Sequence, residues 1–220
     1  MNVDAWFPLA VASRELEVSA EARAAMLADL APSVAQAAAQ RRPGVAWTGD
    51  VNEAGGLHRR PAFAWLCGEI AREARAFAAV LGCEVERLRF SYLQTWAVLC
   101  GPGEAVASHT HRGASLSAVY YLQVPEGAGG ELVFECLSQP NWLGRGFGER
   151  GSPLGATSNA FNQREVSYRP REGRLLLFPA QAPHAVRAYE GEELRISITF
   201  DLGITPAEGG AAEGDPFLEG

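Results

Sequence analysis

Paired cysteines are missing from this chain of 220 residues: Cys67, Cys83, Cys100 and Cys136 are scattered, with no CxxC pair among them. Their spacing offers no paired-thiol motif, and with no secretory context they read as reduced thiols buried like small hydrophobes. Long apolar runs are missing too. The most apolar stretch, Leu93 to Cys100, falls far short of the ~20 residues that a bilayer-spanning helix needs. The opening MNVDAWFPLA does not read as a secretory leader, since it carries Asp4 where a basic residue belongs and no apolar segment follows. A surplus of positive charge is absent: 19 Lys and Arg face 26 Asp and Glu, for a net charge of -7. That balance argues against nucleic acid or anionic lipid as the main partner. Phosphate cradles are lacking as well, since neither Gly101-Pro102-Gly103 nor Gly127 to Gly130 opens a helix followed by Lys and Ser or Thr. Ser115 and Ser117 sit in no G-x-S-x-G elbow, which leaves serine-hydrolase chemistry unsupported. What remains is the expectation of a soluble cytoplasmic globular protein.

A chain of this length is expected to bury roughly 70% of the surface that it exposes when unfolded, enough for its own core. Its first third is rich in Ala, Arg and Glu; from Leu88 onward aromatic and β-branched residues alternate with Gly and Pro breaks. Ser19 to Gln40 reads as helix with Ser19 as N-cap, and Pro32 divides it into two shorter helices or kinks it. Pro61 opens a second helical segment with an apolar stripe of Phe63, Leu66, Ile70, Phe77 and Leu81, and Gly82 closes it. Strands are expected over Leu88 to Val98, Ser115 to Val124, Glu131 to Phe134, Glu165 to Tyr168, Arg174 to Phe178 and Leu194 to Phe200. Residues Leu137 to Asn162 form a long loop without usable period, the kind that often serves as a lid, and Trp142 and Phe147 lean toward that role. The fold class is α+β, mainly β, with a jelly-roll or barrel core. Residues 1–85 are helical support, 86–204 the core, and 205–220 a flexible tail or loosely docked arm. An exposed strand edge, or the apolar residues near Trp6 and Phe7, would be the surfaces of a homodimer.

The chain has only four histidines, so their placement carries information. His109 and His111 bracket Thr110 just before the best strand, and residues two apart in extended chain project to one side about 7 Å apart. His184 follows a Pro-rich turn. Eleven residues further on, Arg195 opens Arg195-Ile196-Ser197-Ile198-Thr199-Phe200, where alternation puts Arg195 and Ser197 on one face. An inward guanidinium is costly to bury unless a carboxylate meets it. Singly, each feature has an ordinary reading: His184 as a surface or capping residue, Arg195 as one end of an ion pair with Glu192 or Glu193. Jointly they describe one site.

That pattern resembles the 2-oxoglutarate- and Fe(II)-dependent dioxygenases, which are built on a double-stranded β-helix. It is most similar to a bacterial group of such oxygenases that carries a His-x-His motif. The likeness runs through Trp6-Phe7-Pro8-Leu9, Trp47-Thr48-Gly49-Asp50, Trp96, His109-x-His111 and Ser115 to Leu122. It continues through Gly173 to Pro179, His184 and Arg195 to Phe200. The resemblance implies that His109, His111 and His184 hold Fe(II), and that Arg195 and Ser197 bind the distal carboxylate of 2-oxoglutarate with help from Tyr121. Decarboxylation of the keto acid to succinate would then be coupled to oxidation of a substrate that the sequence does not name. His111 departs from the superfamily's usual carboxylate, leaving the centre one unit more positive and the choice of Fe(II) over Zn or Ni open. Two rivals stand beside this reading: a cupin-like three-histidine metalloenzyme that uses no keto acid, and a metal-binding protein without turnover.

Overall fold

A computed structural model describes residues 1–2, 7–125, 129–136, 138, 141, 143–144, 159–208 and 214–217. Trp6 and most of the expected lid, including Trp142 and Phe147, lie outside the described residues.

Helices come first. Strand β1 (Ala12–Glu15) precedes α1 (Ala20–Asp29) and α2 (Ala31–Gln40). Ser19 caps α1 by accepting a hydrogen bond from the Ala22 N–H at 3.1 Å. The chain breaks at Leu30 because Pro32 occupies the first turn of α2, where its missing N–H costs nothing. After β2 (Trp47–Thr48), a 3-10 turn at Pro61–Phe63 leads into α3 (Ala64–Val80), which ends before Gly82 in the left-handed conformation, φ +89°. These are the helices expected from the sequence, bounded by the residues that set them.

The strands that follow are β3 (Leu88–Cys100), β4 (Val106–His109), β5 (Leu116–Gln123), β6 (Leu132–Glu135), β7 (Glu165–Tyr168), β8 (Arg174–Pro179), β9 (His184–Val186), β10 (Arg195–Pro206) and β11 (Asp215–Pro216). All pair antiparallel, in two sheets: β1-β8-β5-β10-β3-β11, with β2 also on β3, and β4-β9-β6-β7. This is a double-stranded β-helix with helices on one face.

Alternation sorts the larger sheet's side chains into two populations. On β10, Ile196, Ile198, Phe200 and Leu202 join Leu66, Ile70, Ala74 and Phe77 of α3 in the main apolar cluster. The other face turns Val119, Tyr121, Leu176 and Phe178 toward Leu132 and Phe134 of the smaller sheet. Arg195, Ser197, Thr199 and Asp201 belong to this inner face by period.

Two expectations are corrected. The tail assigned from Thr205 begins later, since β10 runs through Pro206, and Asp215–Pro216 returns to pair with Tyr92 and Ser91. Phe217 is buried against Phe90 and Tyr92, with ring centroids 5.7 and 4.4 Å away. A single aromatic side chain is enough to dock an otherwise polar segment, because burying it gains about 1.5–3 kcal/mol. All four cysteines are free as expected, but only Cys67 and Cys100 are buried, Cys83 being exposed and Cys136 half-buried. Burial pushes the Cys67 thiol up to about 12, which keeps it protonated and inert.

Candidate metal and co-substrate site

The inner face of the jelly roll gathers His109, His111 and His184. Their metal-capable nitrogens all lie within 4.8 Å of one another. Strands β4 and β9 pair with His109 opposite His184, and the turn after β4 returns His111 between them. That turn is fixed by the His111 N–H donating to the Ala180 carbonyl at 2.9 Å. Nε2 of His111 is 3.2 Å from Nε2 of His109 and 3.2 Å from Nε2 of His184. Exposure grades across the cluster: His109 is exposed, His111 half-buried and His184 buried. The approach is therefore from the β4 side.

Each ring's other nitrogen is held by an acceptor. His109 Nδ1 donates to the Ala107 carbonyl and His184 Nδ1 to the Ala182 carbonyl, both at 2.8 Å. His111 Nδ1 meets the Asp201 carboxylate at 2.9 and 3.0 Å to its two oxygens. A carbonyl or carboxylate only accepts, so all three Nδ1 atoms carry a proton, and in its neutral form each ring presents its lone pair at Nε2. Burial, with the neighbouring His109 and His111 adding to it, pushes His184 down to about 4 and keeps it neutral. Three facing lone pairs repel unless a cation lies among them. Octahedral ligands at about 2.1 Å from a metal sit roughly 3 Å apart, close to the spacing seen. The donor set fits a divalent transition metal.

Aromatic packing holds the rings. Trp96 stacks on His111 with centroids 5.7 Å apart at 25°, and Phe178 meets His184 edge-on at 4.8 Å.

Arg195 is 1% exposed. Its Nη1 donates to the Gly130 carbonyl at 2.6 Å, while its Nε is buried without a partner. Among the described residues no carboxylate pairs with it, so the ion pair with Glu192 or Glu193 does not form. Tyr121 and Tyr189 flank the guanidinium, their ring centroids 5.8 and 5.9 Å from its Cζ. Ser197 is buried opposite Tyr121 in the β10–β5 register. The Tyr189 hydroxyl is a further buried group without a partner. A buried cation with an idle N–H is a receptor for an anion. Gly130 is required there, since a Cβ on it would lie 2.8 Å from Arg195 Nη1.

Thus all six residues singled out from the sequence reach the inner face. Three more were missed: Asp201, Tyr189 and Gly130. Asp201 was legible as the continuation of the Arg195, Ser197, Thr199 alternation; Tyr189 and Gly130 lie in turns whose direction only the tertiary fold sets.

The sequence model of a family described as "Putative 2OG-Fe(II) oxygenase" matches residues 94–201. Over that span the chain is similar to the 2-oxoglutarate- and Fe(II)-dependent oxygenases. The matched span runs from β3 to Asp201 and contains all three histidines and the arginine. Among solved structures, a prolyl-4-hydroxylase from Pseudomonas putida is 18% identical, with TM-score 0.53 over 88% of this chain and 92% of that one. HygX from Streptomyces hygroscopicus, solved with nickel and 2-oxoglutarate, is 17% identical, with TM-score 0.52 over 96% of both chains. The α-ketoglutarate-dependent carbocyclase SnoK from nogalamycin biosynthesis is 12% identical, with TM-score 0.59 over 97% of this chain and 90% of that one. These likenesses establish a shared jelly-roll fold. No curated protein matches the sequence. Among the described residues, no helix is long and apolar enough to cross a membrane.

Proposed function

We propose that His109, His111 and His184 hold Fe(II) in this oxygenase, and that Arg195, Ser197 and Tyr121 bind the distal carboxylate of 2-oxoglutarate, joined by Tyr189. When bound, the iron and keto acid supply the oxidising chemistry: 2-oxoglutarate, O2 and a C–H bond become succinate, CO2 and an oxidised product. The chain's own residues bind, orient and exclude water. Ala107 and Ala182 fix the Nδ1–H tautomers of His109 and His184 and aim their Nε2 lone pairs inward. Arg195 supplies the charge, and its idle Nε–H and the Tyr189 hydroxyl supply unused donors for the diacid. Val119, Tyr121, Phe134 and Phe178 line a dry inner face, which strengthens those contacts.

The observation that carries this reading is the buried guanidinium with no carboxylate partner among the described residues, on the same inner face as three imidazoles whose lone pairs converge. The substrate is a small molecule or peptide, in a cytoplasmic setting, and not nucleic acid, given the net charge of -7. Anaerobic addition of Fe(II) and then 2-oxoglutarate should produce the visible charge-transfer band of a keto-acid chelate, and admission of O2 should release succinate. Full metal loading without that band would favour the three-histidine enzyme that uses no keto acid; a band without succinate, across candidate substrates, would favour a non-catalytic binder.

A further inference from the structure

Of the three imidazoles, only His111 is gripped by a charged group. His109 and His184 donate to backbone carbonyls two residues upstream, those of Ala107 and Ala182. His111 instead donates to Asp201, which projects from β10, a different strand of the opposite sheet. Both carboxylate oxygens lie 2.9–3.0 Å from Nδ1. The same carboxylate accepts a hydrogen bond from Ser117 Oγ at 2.9 Å, and Ser117 is fully buried directly across from Asp201 in the β5–β10 register. Asp201 is therefore held in place by a hydroxyl and has one remaining target, the ring of His111.

This grip bears on the feature that sets the centre apart. An Fe(II) oxygenase ordinarily places two histidines and one carboxylate on the metal. Here a third imidazole takes the carboxylate's position, and a carboxylate stands directly behind it. We infer that Asp201 is the positioning residue of the metal centre: it orients His111 and returns, one hydrogen bond away, the negative charge that the three-imidazole set lacks. It touches neither metal nor co-substrate. Its charge reaches the centre through the His111 ring, making that nitrogen a stronger donor than a carbonyl-bonded imidazole. Ser117 acts one step further out, by fixing the carboxylate.

The inference rests on the metal site proposed above, and the test separates the two. The full chain, stripped of metal, is titrated with Co(II) and then Fe(II), reading affinity and the Co(II) visible spectrum, with the melting point of the metal-free form measured alongside. Asp201→Ala should weaken Co(II) binding by about 10–100-fold, as loss of such outer partners does. Asp201→Asn keeps an acceptor for Nδ1–H and removes the charge, so it should lose less affinity than Asp201→Ala but still shift the Co(II) spectrum, a change that a purely structural role would not produce. Ser117→Ala should fall between wild type and Asp201→Asn. Asp201→Asn also serves where the alanine variant does not fold. Wild-type affinity and an unshifted spectrum in a folded Asp201 variant overturn the inference. If His184→Ala also binds Co(II) like wild type, it is the three-histidine site itself that fails.

Discussion

His58 and His111 are two imidazoles that each meet an aspartate, and they serve different ends. His58 is satisfied at both nitrogens: Nδ1 lies 2.8 Å from Thr95 Oγ1 and Nε2 lies 2.8 Å from Asp215. It also stacks on Tyr92 at 5.2 Å, and its aspartate is shared with Arg59. Nothing is left over for a ligand, and the ring fastens the C-terminal strand to the sheet. His111 is satisfied at Nδ1 alone and turns Nε2 toward two other rings. A structural histidine uses both nitrogens within the protein; one built to bind uses a single nitrogen and aims the other at shared space. The number of engaged nitrogens separates the two roles where burial does not.

Removing a member of each class is the sharpest way to break this contrast. His184→Ala should abolish measurable Fe(II) or Co(II) binding, a loss of at least about 100-fold by titration, whereas His58→Ala should leave metal affinity at the wild-type value. Equal effects from the two would erase the distinction. Arg195→Met comes next: it should raise the 2-oxoglutarate Kd by about 100-fold, from charge-assisted hydrogen bonds worth about 1.5–3 kcal/mol each, with metal affinity retained. Calorimetric titration of the keto acid into metal-loaded protein reads this directly. A smaller effect is expected on stability, where His58→Ala should cost about 2 kcal/mol in denaturant unfolding by leaving the buried Thr95 hydroxyl without its ring partner. The same change should speed amide exchange at Asp215 and Phe217.

The smallest effect is a pH response of that clamp. Hydrogen bonds from Arg59 and His58 hold the Asp215 carboxyl below the usual carboxylate range. A group with a depressed folded pKa contributes stability that is present above its unfolded value and is lost as pH falls through the folded one. The docked C-terminal strand should therefore keep its exchange protection at neutral and mildly acid pH and lose it only below the ordinary aspartate range. Release nearer pH 6 would mean that another group governs it.

Much of the site was readable in the sequence because strands impose a strict period of two. His109 and His111, or Arg195 and Ser197, are on one face wherever the segment is extended, whatever the remainder of the chain does. The helix limits at Ser19, Pro32 and Gly82 were readable for the same reason: each acts on its own backbone. The face of Asp201 follows from the same period, but its role was hidden because it depends on which strand lies opposite, and Ser117 is 84 residues away along the chain. Tyr189 and Gly130 were hidden by lying in turns. The docking of Phe217 was concealed by composition, since one aromatic among Gly, Ala and Glu does little to the average of its neighbourhood but, once a pocket of Phe90 and Tyr92 exists, determines where the segment goes.

The outer margin of β3 carries one more consequence. β11 covers it at Ser91 and Tyr92, β2 covers it at Val98 and Leu99, and between them the Gly49 N–H caps the Ala97 carbonyl at 2.9 Å. The sheet's opposite margin, β1, is four residues long and displays Arg14 and Glu15. A bare strand margin is a template on which a second molecule can stack without end. With one side shuttered and the other short and charged, the larger sheet is guarded against runaway stacking along its margins.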